Sequence, residues 1–239
     1  MPRADVKIIA CATVIEEMLP LLPPDIPYEV LDFGLHRVPE QLKAALQEAV
    51  DHAGEEAESV VLGYGLCAMA VVGLKANNCT LVVPRVDDCI AIFLGSRDAY
   101  QEQARQAPGT YYLTKGWIEV NDTLLDEYER LLERYDEARA KRMMRLMLKH
   151  YRRLVYIDTG LRDQEKYQAY AQRVAAEFDL KFEEIKGSNE LVRRMIFGPW
   201  DEERFVVKAP GETITYADFK TTATTTPNLT AFNYSGNSG

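Results

Sequence analysis

At 239 residues, with 47% hydrophobic and 27% charged side chains, the chain has the make-up of a folded protein with room for one large α/β unit or two small lobes. A formal net charge of −9 argues against a nucleic-acid coat, which needs a concentrated basic face. Its apolar stretches fall far short of the roughly 20 residues that cross a bilayer, and Met1-Pro2-Arg3 runs almost at once into a strand pattern, so no membrane partner and no signal peptide are expected. A cytoplasmic address follows, where cysteines serve as thiols or ligands more than as disulfides.

In chain order, β-branched runs predict strands at Val6 to Ala10, Tyr28 to Leu31, Ser59 to Leu62 and Thr80 to Val83. Between the second and third, Val38-Pro39-Glu40 opens a helix whose apolar face carries Leu42, Ala45, Leu46, Ala49 and Val50, and Gly54 is expected to end it. A second helix is predicted from about Ile90 to Gln106, with Gly95 as a weak point in its first turns. Leu124 to about Tyr151 reads as one long helix, acidic in its early turns and basic in its late ones, as the helix dipole favours. The alternation then resumes with a strand at Leu154 to Ile157, a helix from about Gln164 to Phe178, a strand at Lys181 to Ile185, a helix from about Asn189 to Phe197 and a strand at Phe205 to Val207.

This alternation implies an α/β fold: a Rossmann-like, mainly parallel sheet flanked by helices, as two lobes joined by the long helix or as one sheet with strands added. The corresponding divisions are 1–120, a first α/β lobe with a cysteine-lined crevice; 121–153, the connecting helix; 154–210, a second α/β segment; and 211–239, a mobile tail.

In an open parallel sheet, ligands bind beyond the carboxyl ends of the strands. There the sequence places Cys11, Asp32 to His36, Gly63-Tyr64-Gly65-Leu66-Cys67, Pro84 to Cys89 and Asp158-Thr159-Gly160. Three thiols and an imidazole thus share one edge, while Cys79 precedes its strand and belongs to the other. Soft thiolates at Cys11, Cys67 and Cys89 suit an iron–sulfur cluster first and zinc second. Their spacings of 56 and 22 residues match no local ribbon or finger, so the site depends on the fold. His36, Asp88 and Asp158 are candidate acid–base groups. Gly34, Gly63, Tyr64, Gly65, Thr159 and Gly160 line the loops where backbone can approach a cofactor. Each residue also has a plainer use: buried thiols pack cores, carboxylates cap helices and glycines make tight turns.

At Gly63 to Cys67, Val83-Pro84-Arg85-Val86-Asp87-Asp88-Cys89-Ile90, Phe93 to Ser96, Pro108 to Thr114 and Tyr156 to Gly160, the sequence resembles the domain of unknown function 1638 family, over nearly everything from Lys7 to Gly211. The family pattern matches Cys11, His36, Cys67 and Cys89, with Ala68 standing where a glycine is expected. Its members have no established activity, and the resemblance implies an accessory role beside corrinoid-dependent methyltransferases, with a corrinoid protein or a small molecule as partner.

The leading expectation is therefore a three-cysteine metalloprotein in corrinoid-linked one-carbon or methyl transfer, with a corrinoid reached through a partner. The alternatives are a non-catalytic protein that binds a corrinoid protein or small anion in its cleft, and a transferase or hydrolase with Cys67 as nucleophile activated by His36.

Overall fold

The structure, a computed structural model, describes residues 4–160 and 163–220. Among the described residues, eight strands form two sheets. The first contains β1 (Ala4–Cys11), β2 (Tyr28–Leu31), β3 (Ala57–Gly63), β4 (Thr80–Pro84) and β8 (Phe205–Lys208) in the order β2-β1-β3-β4-β8. The second contains β5 (Thr110–Leu113), β6 (Arg153–Asp158) and β7 (Lys181–Lys186) in chain order. Every pairing is parallel except that of β4 with β8.

The central strands behave as strands covered on both faces must, with consecutive apolar residues rather than alternation. Ile8, Ile9 and Ala10 on β1 and Val60, Val61 and Leu62 on β3 are all fully buried. The helix α2 (Pro39–Glu56) supplies Leu42, Leu46, Ala49, Val50 and Ala53 to that core. Gly54 lies inside α2 and does not end it: a Cβ there would stand 3.3 Å from the Cys79 sulfur, so the glycine lets helix and β4 entry pack closely.

The mainly parallel α/β reading holds, and the choice between two lobes and one extended sheet resolves as two sheets sharing a core. On β6, Val155 and Ile157 join the core of the first sheet, while Leu154 and Tyr156 join a second core with Leu113, Leu131 and Ala171. One strand with a period of two thus faces both.

Three expectations need correction. The long connecting helix is two, α6 (Leu124–Leu132) and α7 (Glu137–Met147), separated where Asp136 caps α7 by accepting from Arg139 N at 2.9 Å. A continuous helix over those 28 residues would extend about 42 Å; the break lets both Leu131 and Met144 reach the second core. The helix expected over Ile90 to Gln106 is also two, α3 (Cys89–Leu94) and α4 (Arg97–Gln106). Gly95 sits between them at φ +85°, and Ser96 caps the second by accepting from Ala99 N at 3.1 Å. Finally, residues 211–220 are not a loose tail. Ile214 and Phe219 are buried in the first core, and Thr213 bridges to Lys75. Residues 221–239 lie outside the described residues.

The structure adds elements that the pattern does not mark: β5, and the short helices α1 (Ala12–Met18) and α5 (Lys115–Glu119). The helices α8 (Gln164–Glu177) and α9 (Glu190–Phe197) stand where expected. Among the described residues no helix is long and apolar enough to cross a membrane.

Candidate functional site

From β1 the chain passes to β2 on one side, then crosses back to β3 on the other. Two neighbouring strands whose connections leave in opposite directions open a crevice beyond their carboxyl ends. Cys11 is the last residue of β1, and Gly63 closes β3 just before Tyr64, Gly65 and Cys67. The loop after β4 brings Asp88 and Cys89 to the same edge at the start of α3.

Glycine at 65 makes the approach of these loops possible. A Cβ there would stand 2.8 Å from the Val86 carbonyl oxygen and 3.1 Å from Asp88 N. Beside it, Leu66 N donates to Val86 O at 2.9 Å, which fixes the Cys67 loop against the Cys89 loop. Gly63 serves a similar end, since a Cβ there would meet the Ala10 Cβ at 2.5 Å. The space at both glycines is therefore taken by protein. Gly34 packs over the Asp32 carboxylate, which accepts its N–H at 2.7 Å.

Cys11 and Cys89 are buried, Cys67 is half-buried, and all four cysteines of the chain are outside disulfides. A hydrogen bond from the Cys89 thiol holds Cys67 well below the ordinary thiol range, with His36 adding a second, and together they prevail over burial. Cys89 is driven the opposite way by that same bond, by burial and by the charge on Cys67. Burial of His36 disfavours its charged form, but the Cys67 sulfur outweighs this and raises its pKa. The resulting picture is a thiolate between two donors, a thiol and an imidazolium.

Cys11 is different. Burial pushes its thiol up to about 11, only partly offset by Thr13, whose hydroxyl lies 2.9 Å from the sulfur.

His36 lies in a 3-10 turn, Phe33–Arg37, and its Nδ1 donates to the Phe33 carbonyl at 3.0 Å. Its ring stacks between Phe33 and Tyr64, with centroids at 4.9 and 5.8 Å. Tyr64 is 1% exposed, and its hydroxyl is buried without a hydrogen-bond partner among the described residues. Such an orphan costs about 1–3 kcal/mol. Burial, then the charges of Cys11, Cys67 and Cys89, push the phenol pKa up, so Tyr64 stays protonated and a donor.

Asp88 caps α3 by accepting from Ile90 N at 2.9 Å. Burial and then the Cys67 charge push its carboxyl up to about 7, and the Tyr100 hydroxyl partly opposes them. The neighbouring Asp87 is engaged structurally, gripping Arg97 at 2.9 and 3.1 Å.

The edge of the second sheet contributes a separate cluster. Asp158 pairs with Lys186 and accepts Gly160 N at 2.9 Å; burial works to raise its pKa, but the Lys186 bond prevails and lowers it. Thr159 donates to Glu17 on α1, directly behind Cys11. A Cβ at Gly160 would meet nothing within 4 Å.

Six of the expected residues therefore converge: Cys11, His36, Tyr64, Cys67, Asp88 and Cys89. Asp158, Thr159 and Gly160 stand apart at the edge of the second sheet, with Thr159 reaching Glu17 on α1, and Cys79 lies at the opposite end of β4. Glu17 and Tyr100 escaped the sequence reading. Glu17 stands three and four residues after Val14 and Thr13, so recognising α1 would have put it on a buried helical face.

Among the described residues no group of three or more His, Cys, Asp or Glu side chains is placed to hold a metal ion. The thiols of Cys11, Cys67 and Cys89 nevertheless stand at one edge of the first sheet, with the unpartnered Tyr64 hydroxyl in the loop that leads to Cys67. No curated protein and no solved structure matches the chain. The model of a family described as protein of unknown function (DUF1638) matches residues 30–196, and the chain belongs to that family.

Proposed function

We propose that this member of the DUF1638 family holds a metal centre through Cys11, Cys67 and Cys89, an iron–sulfur cluster by preference or a zinc ion, and serves one-carbon or corrinoid-linked methyl transfer. The observation that carries the reading is that the loop bearing Cys67 is fixed against the loop bearing Cys89, Leu66 N donating to Val86 O at 2.9 Å, at the edge of the sheet where Cys11 ends β1. Cys11, Cys67 and Cys89 would hold the centre, which would supply Lewis-acid chemistry or, as a cluster, electron transfer. The chain's own residues do the rest. His36 and Cys89 keep Cys67 deprotonated ahead of loading, which lowers the proton cost of binding a cation. Asp88, held near neutrality, can give or take a proton beside the sulfurs. In this reading the partner is a small molecule or a corrinoid protein and the setting is cytoplasmic. The net charge of −9 disfavours nucleic acid as a partner.

The test is anaerobic purification followed by metal and sulfide analysis. Iron with sulfide, or zinc, is expected in the wild type and in Cys79→Ser, and is lost in Cys11→Ser, Cys67→Ser and Cys89→Ser. A metal-free wild type, or equal loss in Cys79→Ser, overturns the proposal.

One observation favours a second reading. The depressed pKa of Cys67, with His36 beside it, is also what a nucleophilic cysteine of a transferase or hydrolase requires. That reading needs no metal, and a covalent adduct on Cys67 in metal-free protein incubated with an acyl or alkyl donor would support it.

A further inference from the structure

The hairpin of α6 and α7 has two faces. Leu124 and Leu131 of α6 and Ala140 and Met144 of α7 are buried in the second core. On the opposite sides of the two helices, α6 presents Glu129 and Glu133, and α7 presents Arg142 and Arg145, with Lys149 just past its end; all five are exposed. Their neighbours Glu127, Arg130, Glu137 and Lys141 are held in ion pairs within the chain, but among the described residues none of these five side chains has a partner. An exposed leucine flanks each ridge, Leu132 beside the carboxylates at 41% and Leu146 beside the cations at 60%. The small Ala138 leaves a shallow depression next to Leu146, bounded by Arg139, Arg142 and Met143. From Ala138 to Arg152 six residues are Lys or Arg and none is Asp or Glu, so the basic ridge stands out from a chain of net charge −9.

We propose that this outer face joins two copies of the chain about a two-fold axis, α6 of each lying on α7 of the other. Two-fold symmetry asks a face to be complementary to itself, since every contact is made twice with the roles exchanged. The spacings agree: Glu129 and Glu133 are about 6 Å apart along their axis, and Arg142, Arg145 and Lys149 follow one another at about 4.5 and 6 Å. Leu132 of each copy covers the depression beside Leu146 of the other, which takes both leucines out of water. A nucleic acid or an anionic membrane would use the cations alone and be repelled by the carboxylates beside them; a second copy engages both ridges. The face is small, about 16 Å long for α7, so the dimer is of the weak, exchanging kind, with a dissociation constant on the order of 10–100 µM. This interface stands apart from the metal reading and survives its failure.

The experiment is sedimentation equilibrium of the full chain over a range of about 5–500 µM, which brackets that constant. The wild type is expected to pass from monomer to dimer. The double variant Glu129→Lys with Glu133→Lys makes both ridges basic, and Arg142→Glu with Arg145→Glu makes both acidic, so each alone should stay monomeric. Mixed in equal amounts they should form a heterodimer, because each ridge of one then meets its opposite on the other. Leu146→Ser leaves the charges in place and should weaken the wild-type dimer about tenfold. A wild type that is monomeric throughout overturns the proposal, as does a dimer that persists in either reversed variant, which would lie on another face. Reversed variants that are folded but remain monomeric when mixed overturn it too. Should a reversed variant fail to fold, Leu146→Ser decides alone: an unchanged dimer constant overturns the proposal.

Discussion

Thr159 Oγ1 donates a hydrogen bond of 2.5 Å to Glu17 Oε2, although 142 residues separate the two and both side chains are buried. The bond ties α1, which begins directly behind Cys11, to the loop behind β6, and so spans the two sheets. Thr159→Val keeps the shape of the side chain but leaves the Glu17 oxygen without its donor. The expected loss is about 1–3 kcal/mol in denaturant unfolding. A loss below about 0.5 kcal/mol would mean that water or another group satisfies Glu17 equally well.

The same carboxyl gives stability a pH dependence of known sign. Burial raises the Glu17 pKa above its ordinary 4.5, with the Thr159 bond opposing. The folded chain then holds a proton that the unfolded chain has released, so stability is full below the unfolded value and falls as pH rises through the folded one. Glu17→Gln removes this titration. Melting curves from pH 4 upward should show the wild type losing ground steadily against the Gln variant; parallel curves would refute the shift.

Cys67 should be the fastest thiol to alkylate in metal-free protein, because thiolate is the reactive form and the other two site thiols are raised. Peptide mapping after iodoacetamide treatment at pH 6 is expected to find the label there first. His36→Gln and Cys89→Ala should each slow the reaction at that pH by removing a donor to the sulfur. Uniform labelling of the four cysteines would contradict the donor arrangement.

Gly65→Ala tests whether the two cysteine loops must lie in contact. Its Cβ would stand 2.8 Å from the Val86 carbonyl, so the Cys67 loop has to lift away from the Cys89 loop. We expect destabilisation of about 1–3 kcal/mol, with Cys67 alkylation slowed toward that of an ordinary thiol. Wild-type alkylation in a stably folded variant would show that the contact does not set the Cys67 pKa.

The strand positions, and the placing of Cys11, Cys67 and Cys89 at or beyond strand ends on one edge of the sheet, were legible because parallel strands alternate with helices. The break at Asp136 was written in a residue that caps helices, but a 3.6-residue period runs across a cap without interruption and hides it. Gly63 and Gly65 were legible as special positions, though not their reason, which lies in Ala10 and Val86 from other strands and loops. The Glu17 contact to Thr159 was beyond reach because it depends on how two sheets meet. Nothing local in Thr13 to Met18 announces a partner more than a hundred residues away.

β8 closes the first sheet by pairing antiparallel with β4, Leu81 opposite Lys208, after the chain has gone out to build the whole second sheet. During synthesis, the edge of β4 therefore stays open until nearly all of the described chain has left the ribosome. At roughly 5–20 residues per second, the 126 residues between those partners take on the order of ten seconds. Throughout that interval the cysteine-bearing half presents an apolar, unpaired strand edge, the surface that chaperones hold and that aggregating chains exploit. A nascent chain arrested before Phe205 should accordingly depend on chaperones far more than one released whole.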